Sequence, residues 1–158
     1  CPPKISCYHN NEVRIMYIFL DIDGVLNTYN EHPSNKRHIH SANLIVLKKL
    51  IDQTQAKIIL ISNWKFVPTA LKECKLALES CHLHLDDMTK DDMVHRGQGI
   101  IDYLHNHKVQ HYVILDDDDF SDYNNELSKH LVLVDARYGL RPIDIQKAMK
   151  ILIDEVPA

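Results

Sequence analysis

Four short aliphatic and aromatic runs, at residues 15–20, 57–61, 112–115 and 131–134, most constrain the fold of this chain. Each is too short for a helix of ordinary length and lacks the polar alternation of a half-exposed strand, which suits strands buried on both faces. Between and after them lie segments whose apolar residues recur at helical spacing: Leu44, Leu47 and Ile51; Val67, Leu71, Cys74 and Leu78; Ile100, Ile101 and Leu104; Ile145, Ala148, Met149 and Leu152. Each set falls on one helical face. Ser41 is placed to cap the first helix, and Pro68 and Pro142 suit the first turns of the second and last. Buried strands alternating with amphipathic helices predict an α/β fold, a parallel sheet flanked by helices on both sides. With 158 residues, 45% of them apolar, one core suffices, so residues 1–158 read as a single domain. Residues 1–12, which include Pro2-Pro3, are expected to be an irregular N-terminal segment.

Ligands of open parallel sheets bind beyond the carboxyl ends of the strands, so the residues that follow each run carry the functional information. They are Asp21-Ile22-Asp23-Gly24, Ser62-Asn63-Trp64-Lys65, four consecutive aspartates at 116–119, and Asp135. Asp21 and an aspartate from the third strand end would supply the hard oxygen donors that Mg²⁺ prefers. Gly24 permits the turn that swings Asp21 and Asp23 toward one site. Ser62 can donate to a phosphate oxygen, and a nearby cation would stabilise charge on a transferring phosphoryl group. Taken singly, Asp21 and Asp23 suit a solvated turn, residues 116–119 a solvated loop and Ser62 a helix cap. Four polar clusters, each directly after a buried strand, are harder to assign to chance.

The run Phe19-Leu20-Asp21-Ile22-Asp23-Gly24-Val25-Leu26-Asn27 resembles motif I of the haloacid dehalogenase (HAD) superfamily, the D-x-D-G-x-L phosphatases. Ile61-Ser62-Asn63-Trp64-Lys65 is similar to motif II of a subgroup with a Ser-Ser-Trp-Arg-like run, and Tyr112-Val113-Ile114-Leu115-Asp116-Asp117 to its motif IV. The resemblance runs from about residue 15 to 145 and implies a HAD-like, Rossmann-like sheet. It also implies a Mg²⁺-dependent phosphomonoesterase in which Asp21 is the nucleophile that forms an aspartyl-phosphate. Asp23 would be the general acid and then the base, with its backbone carbonyl on the metal. Ser62 would bind the transferring phosphate, with Asn63 beside it. Asp116, with Asp117 as a second candidate, would complete the metal site with Asp21 and Asp23. The motif III cation maps to Arg96, with Lys65 and Lys90 as rivals. Asn63 and Lys65 depart from the Ser and Arg usual in the subgroup, which leaves the phosphate contacts open.

Residues 24–40 and 65–96 are too short to hold a cap domain besides the elements expected there, so the site should be uncapped and open to a phosphomonoester on a macromolecule. The formal net charge of −4 and the absence of a Lys/Arg cluster with interleaved aromatics place a phosphoprotein, carrying phosphotyrosine or phosphoserine, ahead of nucleic acid. The richest cationic stretch, Asn35-Lys36-Arg37-His38, is short. The alternatives are a nucleic-acid 3′- or 5′-end phosphatase, since the subgroup is similar to phosphatase domains of repair proteins, and a catalytically weak phosphate-binding HAD module. A further similarity is to uncapped phosphotyrosine phosphatases that intracellular bacteria deliver into host cells.

The four cysteines show neither a C-x-x-C pair nor a disulfide framework, and no apolar stretch approaches the roughly 20 residues of a spanning helix. A reducing, cytosolic setting is expected, with a secreted effector acting in a host cytosol as the alternative. Cys74 reads as core, Trp64 as packing under the site, and the His82/His84 and His105/His107 pairs as surface residues.

Overall fold

The computed structural model describes residues 8–9, 12–29 and 38–153. Within the stretch read from sequence as irregular, β1 (Tyr8–His9) pairs antiparallel with β2 (Glu12–Val13). The main sheet is formed by β3 (Met16–Leu20), β4 (Lys57–Leu60), β5 (Asp87–Met88), β6 (His111–Asp116) and β7 (Leu131–Leu133). All five strands are parallel, in the order β5-β4-β3-β6-β7, with β3 at the centre. The helices are α1 (Ser41–Thr54), α2 (Pro68–Ser80), α3 (Arg96–Asn106), α4 (Asn125–Lys129) and α5 (Pro142–Ile153).

Successive side chains of a strand point to opposite faces, and here both faces are covered. Met16, Ile18 and Leu20 of β3, with Ile58 and Leu60 of β4, pack against Leu44, Leu47 and Leu50 of α1, Cys74 and Leu78 of α2, and Ala148 and Leu152 of α5. Tyr17 and Phe19, with Ile59, Tyr112 and Ile114, face Ile100 and Tyr103 of α3 and Leu127 of α4. Tyr103 and Tyr112 meet the Phe19 ring edge-on at 5.6 and 5.8 Å. This is the HAD-like α/β sheet expected from the sequence, and the described residues hold no cap between β3 and α1 or between α2 and α3.

Local details differ from expectation. Ser41 is the first helical residue of α1; the cap is His40, whose carbonyl accepts from Leu44 N–H at 3.1 Å and whose side chain makes no cap bond. β5 and α4 were not foreseen. The first is two residues long at the sheet edge; the second is one short turn capped by Asn124, whose side-chain oxygen accepts from Leu127 N–H at 2.9 Å. Pro68 and Pro142 open α2 and α5 as expected, and Cys74 is core. Cys1, Cys7, Lys36 and Arg37 lie outside the described residues. Among the described residues no helix is long and apolar enough to cross a membrane.

Candidate active site

The central strands deliver the first acidic group directly. Asp21 N–H donates to the Leu115 carbonyl at 3.0 Å, and Ile61 N–H donates to Leu20 at 3.0 Å, so the ladder continues to the end of β3 before the chain turns. Val25 and Leu26 then close a tight turn on the Ile22 carbonyl. Gly24 has φ +81°, and a Cβ there would collide with the Asp117 carboxylate and the Tyr29 ring. Only glycine lets this turn lie so close to the acidic loop after β6.

Asp21, Asp116 and Asp117 each offer a carboxylate oxygen within 4.8 Å of the others. Asp116 is wholly buried. Its Oδ2 accepts from Arg96 Nη1 at 3.0 Å and from Tyr123 OH at 2.7 Å, while Oδ1 accepts from Asp118 N–H at 3.2 Å. The same Arg96 Nη1 lies 3.4 Å from Asp21 Oδ1, and the guanidinium stands 4.3 Å over the Phe120 ring. Asp122 grips the start of α3, accepting from Gly97 N–H and Gln98 N–H at 3.0 Å each, and so fixes where Arg96 begins its reach.

The electrostatics follow from this crowding. Burial, then the neighbouring Asp116, raises the Asp21 carboxyl well above its ordinary range, although Arg96 opposes the shift. Burial also raises Asp117. Burial disfavours the Arg96 charge, but Asp21 and Asp116 outweigh it and hold the guanidinium charged. Asp21 and Asp116 share one guanidinium and Asp117 lies beside them, so the carboxyl groups outnumber the cation, an arrangement that a hard divalent cation would neutralise. The donor set therefore fits a metal ion held by Asp21, Asp116 and Asp117. The Asp23 carboxylate is not part of this cluster.

Asp23 instead turns toward the end of β4. Its Oδ2 accepts from Trp64 Nε1 at 3.1 Å and its Oδ1 from Asn27 Nδ2 at 2.9 Å. Ser62 is buried at the head of a 3₁₀ turn, Asn63–Phe66, and its Oγ accepts from Trp64 N–H at 3.1 Å. That bond leaves the hydroxyl hydrogen for another acceptor. Asn63 is exposed. Lys65 has a buried ammonium bonded to Thr89 Oγ1 at 2.8 Å and to the buried Asp91 carboxylate. Burial lowers the Lys65 ammonium despite that partner. Among the three candidate cations, Arg96 touches Asp21; Lys65 is taken up by Asp91, and Lys90 is exposed.

The rim bears groups that sequence reasoning did not assemble. Tyr29 N–H donates to the Ala136 carbonyl at 2.9 Å and Leu140 N–H to Val25 at 2.7 Å, which ties the loop after β7 to the turn after β3. Asn43 Nδ2 reaches the carbonyls of Tyr138 and Leu140. Tyr138 is half exposed, with the Arg137 and Arg141 guanidinium carbons 5.4 and 5.0 Å from its ring centre. The roles of Asn27, Tyr123 and Asp122 were also missed. Asn27 lies inside the motif I run, but nothing in the sequence ties Tyr123 or Asp122 to the site.

Residues 17–145 match the family model described as the HAD domain in Swiss Army Knife RNA repair proteins. No curated protein and no solved structure gives a significant match. The matched span begins in β3 and ends in α5, so it contains every site residue described above. Membership supports phosphatase-type hydrolase chemistry at an acidic cluster able to hold a metal ion. By this match, the chain belongs to the HAD domains of Swiss Army Knife RNA repair proteins and is a small member of the HAD superfamily.

Proposed function

We propose that this chain is a Mg²⁺-dependent phosphomonoesterase that removes a terminal phosphate from RNA through an aspartyl-phosphate on Asp21. The observation that carries the reading is the setting of Asp21 at the tip of the central strand, grouped with Asp116 and Asp117 and sharing the Arg96 guanidinium with Asp116. An Asp21 oxygen attacks phosphorus as the bond from phosphorus to the leaving oxygen breaks, and Asp23 gives that oxygen its proton. Asp23 then takes a proton from water as the water oxygen attacks the acyl-phosphate, and the bond between phosphorus and Asp21 breaks to release inorganic phosphate. Arg96 and the Ser62 hydroxyl hold the phosphoryl oxygens in both halves. Mg²⁺ bound by Asp21, Asp116 and Asp117, with the Asp23 carbonyl, would neutralise charge on the carboxylates and the phosphoryl group.

The RNA end is placed ahead of the phosphoprotein favoured by sequence because two observations now support it. The matching family is described by RNA repair. The net charge of −4 belongs to the whole chain, whereas the rim beside the site brings Arg137, itself paired with Asp135, and Arg141 to the ring of the half-exposed Tyr138, a combination of ring and cations suited to bases and phosphates. The phosphotyrosine and effector readings have no counterpart in the family description. The test is phosphate release, with Mg²⁺ and with EDTA, from 3′- and 5′-phosphorylated RNA oligonucleotides, phosphotyrosine and phosphoserine peptides, and p-nitrophenyl phosphate. Metal-dependent release that favours one RNA end is expected. Preference for phosphopeptides would move the substrate to protein, and binding of the phospholigands with no release would make the chain a phosphate-binding module.

A further inference from the structure

Asp23 has to act twice in the proposed reaction, and two neutral donors hold it. Asn27 Nδ2 and Trp64 Nε1 each take one carboxylate oxygen. Asn27 is itself fixed: it is wholly buried, and its side-chain oxygen accepts from Gly24 N–H at 2.8 Å. Trp64 belongs to the turn capped by Ser62, so the indole on Asp23 and the hydroxyl offered to the phosphate move as one piece.

The chemistry of the donors matters. A carboxylate oxygen has two lone pairs, so one N–H bond per oxygen leaves room for the transferred proton. An indole or amide N–H carries no charge. Lys65 directly follows Trp64, yet its ammonium is drawn into the buried pair with Asp91 and the bond to Thr89. The turn thus presents a neutral donor to Asp23 and stores its cation elsewhere.

We infer that Trp64 and Asn27 are positioning residues that hold Asp23 on the leaving-group side of Asp21 for both proton transfers. The inference rests on the phosphatase reading. A purely packing role for Trp64 would affect all substrates alike, whereas positioning of a proton donor affects those whose leaving oxygen needs a proton. The experiment compares wild type, Trp64→Phe and Asp23→Asn on p-nitrophenyl phosphate, phenyl phosphate and the preferred phosphorylated oligonucleotide, with circular dichroism to verify folding. Trp64→Phe keeps the aromatic bulk and removes the N–H. It is expected to lose about tenfold in kcat on phenyl phosphate and the oligonucleotide, a fraction of the full acid–base contribution. On p-nitrophenyl phosphate, which releases a stable phenolate, the loss should be several-fold smaller, and Asp23→Asn should show the same bias more strongly. Asn27→Ser, if folded, should repeat the pattern. Equal losses of Trp64→Phe on all three substrates, or none on any, would overturn the positioning role while leaving the phosphatase standing. Absence of turnover by the wild type on every substrate would overturn the phosphatase reading and this inference with it.

Discussion

Asp21 and Asp23 are two residues apart on one turn and stand in opposite surroundings. Asp21 is buried among carboxylates, with Arg96 as its cation. Asp23 is half-buried, turned toward the β4 end, and held by an indole and an amide. The first environment suits a group that binds metal and attacks phosphorus; the second suits one that gains and loses a proton without a charged partner. Tertiary structure thus gives identical side chains different neighbours, which is what the proposed division of roles rests on.

Substitutions can break this comparison at either end. The largest effect is expected from Asp21→Asn, which removes the proposed nucleophile: kcat should fall on the order of 10⁴-fold or more on every substrate. Thermal unfolding should show no loss of stability, since the change removes a buried charge from a crowded acidic site. Asp23→Asn should cost on the order of 10² to 10⁴ in kcat where the leaving group needs a proton and much less on p-nitrophenyl phosphate, read in the same assay. Arg96→Met would leave Asp21 and Asp116 without their cation; urea titration without metal should show a loss of about 3 kcal/mol. Mg²⁺ should restore more stability to that variant than it adds to the wild type.

The smallest effect is on pH dependence. The folded Asp21 carboxyl is raised above its ordinary value of 3.8 by burial and then by Asp116, so the metal-free fold binds that proton more tightly than the unfolded chain does. The resulting stability is complete below the unfolded value and lost as pH rises through the raised folded value. Urea midpoints without metal should therefore carry a component that declines over that window. Saturating Mg²⁺, which competes with the proton, should remove it.

Much of the fold was legible because β3, β4 and β6 are covered on both faces and read as continuous apolar runs. β5 was not, because its two residues, Asp87 and Met88, are placed only by pairing with Ile59 and Leu60. The cap of α1 escaped notice because His40 makes no side-chain cap bond for a residue preference to betray. Asp21, Asp116 and Ser62 were legible as polar residues at buried strand ends. The choice among Arg96, Lys65 and Lys90 was not, since it turns on a buried Asp91 that occupies Lys65 and on Asp122 gripping the start of α3. The rim around Tyr138 was not legible, because the stretch Arg137-Tyr138-Gly139-Leu140-Arg141 holds only two cations, which the loop brings to one ring.

The central claim is that phosphoryl transfer passes through Asp21 while Asp23 handles protons. Its most direct test is acid-quenched peptide mass spectrometry of the wild type, Asp23→Asn and Asp21→Asn during turnover of p-nitrophenyl phosphate with Mg²⁺. A phosphoryl group on the peptide containing Asp21 is expected in the wild type, enriched in Asp23→Asn because its hydrolysis lacks a base, and absent in Asp21→Asn. Turnover by the wild type with no phosphoryl group on Asp21 in either competent protein, or undiminished turnover by Asp21→Asn, would contradict the claim.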